Sequence, residues 1–231
     1  MITATLKLME YLSERPESFD YLSVMSGQDL LLQPISKLLR FLQEESGREF
    51  VQYFPIPYSR WDMHGGIDRL RYYWPTLLFC QSAADKYKPI HRLLQLSRNL
   101  YKNRLQPILV RDIGRLPPLF GGSTWFTITR RMMMYCLDYA RLNPRYVRSF
   151  SWTRCADEIF FQTIMLNSPF RENILDDNLV HIDWSTGPEY PRILRVTDIQ
   201  KLEASNAFFA RKFDENIDSA VIDHVLRTVE K

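Results

Sequence analysis

Apolar residues recur at helical spacing over residues 3–13, where Leu6, Leu8, Met9 and Leu12 fall near one face and predict an amphipathic helix. Residues 19–25 (FDYLSVM) form a mostly apolar run that predicts a buried strand, and Gly27 and Asp29 after it are natural loop residues. Ligands in open α/β sheets sit beyond the carboxyl ends of strands, so Asp29 is a site candidate on position alone. Residues 34–44 return to the helical period through Ile35, Leu38, Leu39, Phe41 and Leu42, with Pro34 suited to the first turn. Residues 49–54 (EFVQYF) predict a second strand. That strand–helix–strand order predicts a parallel sheet.

The pattern breaks over residues 55–75 (PIPYSRWDMHGGIDRLRYYWP), an irregular stretch rich in aromatics and charge. Its Trp61, His64, Gly65, Gly66, Arg69 and Arg71 either line a groove or decorate a surface loop. Residues 86–102 predict a basic amphipathic helix with Ile90, Leu93, Leu94, Leu96 and Leu100, which suits a solvated face or a membrane surface. The turn LPPLFGG (116–122) precedes an alternating strand at 123–129 (STWFTIT). A helix at 130–141 follows, whose Met132, Met133 and Met134 read as core. At 151–165 (SWTRCADEIFFQTIM) a loop runs into an amphipathic helix with Asp157 and Glu158 in its first turn. Exposed N–H groups and the helix dipole favour carboxylates there, which accounts for both residues without any function. A strand at 178–184, a helix start at Thr197-Asp198 and a helix over 218–230 complete the pattern. No internal repeat, low-complexity tract or linker interrupts it, which predicts one domain over residues 1–231.

A net charge of +3 with scattered basic residues argues against nucleic acid and suits a small anionic ligand or a membrane surface. The 13% aromatic share offers faces for sugar stacking and for core packing alike. Cys80, Cys136 and Cys155 are widely spaced and form no CxxC pair. Neither a disulfide framework nor a zinc site is predicted, and a reducing, cytoplasmic compartment is expected. No apolar run reaches the length of a membrane span, and the first residues lack the sections of a signal peptide. Peripheral membrane attachment stays open.

Four stretches together resemble the core 2/I-branching β-1,6-N-acetylglucosaminyltransferase family, which also contains the peptide O-xylosyltransferases. They are YLSVMSGQDLLLQ (21–33), GGSTWFTITR (121–130), ADEIFFQTI (156–164) and ASNAFFARKFD (204–214). The Phe-Ala-Arg-Lys-Phe run in the last is the most specific. The resemblance implies an α/β, Rossmann-like glycosyltransferase A-type fold, with a mixed central sheet flanked by helices in one catalytic domain. It implies inverting transfer from a UDP-sugar, usually UDP-N-acetylglucosamine, to a hydroxyl of a glycan or surface polysaccharide. It implies neither a metal nor another cofactor. The chain has no Asp-x-Asp triplet, and Asp157-Glu158 and Asp176-Asp177 are not the spaced pair that holds a divalent ion on a diphosphate. Xylose transfer to a protein serine and a non-catalytic sugar- or partner-binding remnant are the alternatives.

By the resemblance, Glu158 is the base that takes the acceptor proton. Lys212 meets the leaving diphosphate together with Arg192, or with Arg195 in an alternative register. Fixed cations of this kind suit the charge that builds on departing UDP. Asp157 is a helix-start residue or a partner of Glu158. Trp184 matches the family's acceptor-stacking tryptophan, with a core tryptophan as the rival reading. Trp61, Arg69, Arg71 and Asp29 are further candidates for acceptor or donor contacts. Family members open with a strand–helix–strand section that holds much of the uridine site. This chain opens at TATLKLMEYL, which resembles the helix after that section, so the opening strands are expected to be missing.

Overall fold

The computed structural model describes residues 1–79, 90–187 and 190–229. In chain order the first half contains α1 (Ile2–Ser13), β1 (Tyr21–Ser23), β2 (Asp29–Leu31), α2 (Ile35–Glu44), β3 (Glu49–Val51), β4 (Phe54–Pro55), α3 (Asp62–Gly65), α4 (Asp68–Arg71), α5 (Thr76–Phe79) and α6 (Ile90–Leu100). The second half contains β5 (Phe120–Gly121), β6 (Phe126–Thr129), α7 (Arg130–Leu142), α8 (Pro144–Ser149), α9 (Asp157–Leu166), β7 (Ile174–Leu175), β8 (Val180–Ile182), α10 (Ile199–Glu203), β9 (Phe209–Arg211) and α11 (Ser219–Val229). Helices and mixed sheets make this an α/β fold, in keeping with the class that the resemblance implies. Cys80, the first residues of the helix expected at 86–102 and residue 230 lie outside the described residues. The described residues fall into two compact units.

One unit takes Arg15–Gln52, Ser123–Met133 and Glu172–Lys231. Its larger sheet has the order β1-β6-β3-β7. The expected parallel arrangement of β1 and β3 is only half met: the two share a direction, but β6 lies between them and is antiparallel to both. The parallel neighbour of β3 is β7. Glu49 opens β3 fully buried, and its carboxylate accepts from Thr129 N at 2.7 Å and Thr129 Oγ1 at 2.6 Å, which closes the end of β6. Leu38 and Leu42 of α2 pack with Phe50, Phe208 and Phe209 in the core beside this sheet. Pro34 precedes α2 as its cap with an extended backbone, rather than sitting in the first turn.

The smaller sheet of this unit has the order β2-β9-β8, with β9 antiparallel to β2 and parallel to β8. Asp29 is therefore not a loop residue. It starts β2 opposite Arg211 of β9. Ala210 and Phe213 enter a core with Leu32, Leu194, Leu202, Val221 and Val225. Three-residue strands are too short to show alternation, which is why β2 and β9 leave no period in the sequence.

The other unit takes Met1–Glu14, Tyr53–Gly122 and Met134–Arg171. Here β4 and β5 pair antiparallel. All residues of α9 from Ile159 to Leu166 are buried, Gln162 and Thr163 included, so the helix expected to be amphipathic is covered on every side beyond its first turn. Thr163 Oγ1 accepts from Phe120 N at 3.1 Å, and the Tyr146 hydroxyl donates to Phe160 O at 2.7 Å. Both bonds fix α9 along its length. On α6, Leu93, Leu96 and Leu100 are exposed. No helix among the described residues is long and apolar enough to cross a membrane.

Candidate functional site

The first turn of α9 presents Asp157 and Glu158, and Ala156 caps it without a side-chain hydrogen bond. Glu158 is anchored through its backbone, its N–H donating to Cys155 O at 3.3 Å and its carbonyl accepting from Gly122 N at 2.9 Å. Its carboxylate pairs with Arg69 of α4, Nη1 to Oε2 at 2.5 Å. Burial pushes the Glu158 carboxyl above the usual carboxylate range, and the Arg69 cation restrains that rise. The same surroundings push the Cys155 thiol up, burial first and the nearby Glu158 charge second. Asp157 stands at the first helical position, where the helix dipole favours a carboxylate.

Arg69 is held on its other side by an aromatic floor. Its guanidinium lies 3.7 Å from the Trp61 ring centroid, a cation–π contact. Trp61 meets Phe54 edge-on at 4.8 Å, and Phe54 stacks on Tyr58 at 3.8 Å. Two glycines leave room for the indole: a Cβ at Gly66 would fall 2.3 Å from Trp61, and one at Gly121 would fall 2.8 Å from both Trp61 and Phe54. Trp61 and Arg69, read from sequence as substrate contacts, are thus the support of Glu158. Arg71 is exposed in α4, its backbone tied down by its N–H donating to Ile67 O and its carbonyl accepting from Arg111 N, both at 2.9 Å.

In the unit with the larger sheet, Lys212 follows β9, and its carbonyl accepts from Leu194 N at 2.9 Å. Its ammonium makes no ion pair among the described residues. Next to it, Arg211 lies 4.3 Å from the Trp125 ring centroid with its Nε 3.4 Å from Asp29 Oδ1. Asp29 is a buried counter-ion with Oδ2 accepting from Ser26 N at 2.6 Å, not an open contact. Arg211 and Trp125 lie in two of the stretches that carry the resemblance, but nothing local in either shows that they meet.

Arg192 departs most from its expected role. Its guanidinium donates to Asp183 Oδ2 at 2.9 and 2.6 Å and to both oxygens of Asp198 at 2.9 and 2.7 Å. Hydrogen bonds from Ser185, and after them those from Arg192, hold Asp183 well below the usual carboxylate range, while Arg192 lowers Asp198 from its ordinary value. A guanidinium spent on two carboxylates has no fork left for a diphosphate. Arg192 is a clamp between the end of β8 and the turn before α10. Arg195 is exposed, with its charge near Asp218. Trp184 is also exposed and makes no ring contact among the described residues, so the core alternative fails and an open stacking face remains.

The Core-2/I-Branching enzyme family model matches residues 1–206, a span that includes Glu158 and stops short of β9 and Lys212. The chain is 30% identical over 138 residues to the beta-glucuronosyltransferase GlcAT14A of Arabidopsis thaliana, covering 57% of this chain and 30% of that protein. It is 24% identical over 236 residues to xylosyltransferase 2 of Rattus norvegicus, covering 94% of this chain and 24% of that protein. The chain therefore spans a third or less of the length of the curated relatives it matches. With the match running over most of its length, the chain belongs to the Core-2/I-Branching enzyme family of glycosyltransferases.

Proposed function

We propose that this domain transfers a sugar from a UDP-sugar to a hydroxyl of a glycan or polysaccharide acceptor, with inversion and without a metal. The observation that carries the reading is the half-buried Glu158 carboxylate, raised toward neutrality by burial and aimed by Arg69. A base with its pKa moved toward working pH removes a hydroxyl proton more effectively. In the proposed step the acceptor O–H gives its proton to Glu158 as its oxygen bonds to the anomeric carbon. The bond from that carbon to the UDP oxygen breaks, and UDP leaves with the electron pair. The Lys212 ammonium, which has no ion-pair partner among the described residues, meets the charge on the diphosphate. Trp184 supplies an exposed face for an acceptor ring.

The resemblance favours N-acetylglucosamine as the donor sugar. The xylosyltransferase and glucuronosyltransferase relatives favour a second reading in which the donor is UDP-xylose or UDP-glucuronate. Calorimetric titration of the chain with UDP in excess EDTA, then transfer assays with the three donors, tests these readings. UDP binding is expected to survive chelation and to weaken in Lys212→Ala. Glu158→Gln is expected to lower turnover by about 10²–10⁴-fold while leaving UDP affinity in place. Absence of UDP binding by folded protein would sink the transferase reading. Full turnover in Glu158→Gln would remove the base.

A further inference from the structure

The unit that carries Glu158 also holds an open cavity of about 400 Å³, bordered by Tyr73, Arg111, Asp112, Arg145, Arg148 and Trp152. That volume lies in the range of small-ligand sites and suits one sugar ring with its substituents. Its charge is one-sided. Arg145 and Arg148 lie three residues apart on α8, are exposed, and make no side-chain hydrogen bond or ion pair among the described residues. Arg111 donates to the carbonyls of Ser149, at 2.7 Å, and Ser151, and lies 4.0 Å from the Tyr73 ring centroid. Its Nε is buried without a hydrogen-bond partner, and no carboxylate among the described residues pairs with it. Asp112, the acidic member of the lining, is engaged elsewhere, accepting from Gly114 N at 3.0 Å and pairing with Arg115 at 3.4 Å.

The aromatic part of the lining is held open. Trp152 is 55% exposed, and its backbone has a left-handed φ of 58°, a conformation unfavourable for a bulky residue. The surrounding bonds impose it: Trp152 O accepts from Trp74 N at 2.6 Å, while Arg111 draws in the carbonyl of the preceding Ser151. An exposed indole beside uncompensated guanidinium groups matches a sugar ring that bears a negative charge, the ring stacking and the charge being forked. The segment that presents Trp152 leads directly into Cys155 and the first turn of α9.

We propose that this cavity binds a carboxylate-bearing sugar residue, stacked on Trp152 and met by Arg145 and Arg148, as a subsite for a part of the acceptor away from the reacting hydroxyl. Its assignment to the acceptor rests on the transferase reading; the binding itself does not. The test is NMR titration of the full chain, without any sugar donor, following the Trp152 indole N–H and, in the variant that lacks it, the backbone amides of residues 151–153. The probes are methyl β-D-glucuronide, methyl β-D-glucoside and sodium sulfate. The glucuronide is expected to bind at least about tenfold more tightly than either of the others. The double substitution Arg145→Gln and Arg148→Gln, on an exposed helix face, is expected to erase the preference, and Trp152→Ala to weaken both sugars. Equal affinity for the two sugars, sulfate binding as tightly as the glucuronide, or a preference that survives the double substitution would overturn the subsite. Because no donor is present, these outcomes read the same whether or not transfer is ever observed.

Discussion

At the scale of single residues, Glu158 is governed by two opposed effects, burial raising its pKa and Arg69 lowering it. Removing the cation leaves burial unopposed. Arg69→Met is therefore expected to move the acidic limb of kcat/KM to higher pH, since the base must be deprotonated to act. A limb that stays in place would show that the 2.5 Å contact does not control the base. The position of Glu158 at a helix start was legible in the sequence. Its partnership with Arg69 was not, because the two lie 89 residues apart and nothing local links them. For the same reason Arg192 passed for a diphosphate ligand until Asp183 and Asp198 were seen around it.

At the scale of elements, the longer helices could be read from their period, and α9 was placed correctly although its all-round burial was not. An apolar run cannot show in sequence how many sides will be covered. The loop feeding Arg69 was marked by its aromatics and by Gly65 and Gly66, whose left-handed φ of 64° and 88° favours glycine, whereas on β5 the reason for Gly121 is steric. Gly121→Ala would bring a methyl group 2.8 Å from Phe54 and Trp61. The expected cost is about 1–3 kcal/mol of stability from overpacking, together with lower turnover as the floor under Arg69 shifts. Chemical denaturation and kcat of the variant measure the two effects. Unchanged turnover would show that the stack on Trp61 does not position the ion pair.

At the scale of the whole molecule, stability at acid pH is expected to follow the Arg192 clamp. Asp183 and Asp198 titrate below their usual values, so their contribution is complete above the ordinary carboxylate range and lost as pH falls through the lower folded values. Glu49 carries the opposite sign: burial raises it, so its contribution is complete at low pH and lost as pH rises through its folded value. Arg192→Met is expected to cost about 2–4 kcal/mol near neutrality, because two carboxylates lose their cation, and to flatten the acid dependence. Urea denaturation at neutral and acid pH measures both. The two sheets shared a class with the sequence reading but not a topology, since β6 and β9 reach their partners only through long-range pairing. That pairing also fixes an order of events during synthesis. In the smaller sheet β2 and β8 meet only through β9, which comes from the last part of the chain. A nascent protein therefore gains that sheet and Lys212 together, once β9 has been made, and a product cut short before Phe208 has neither.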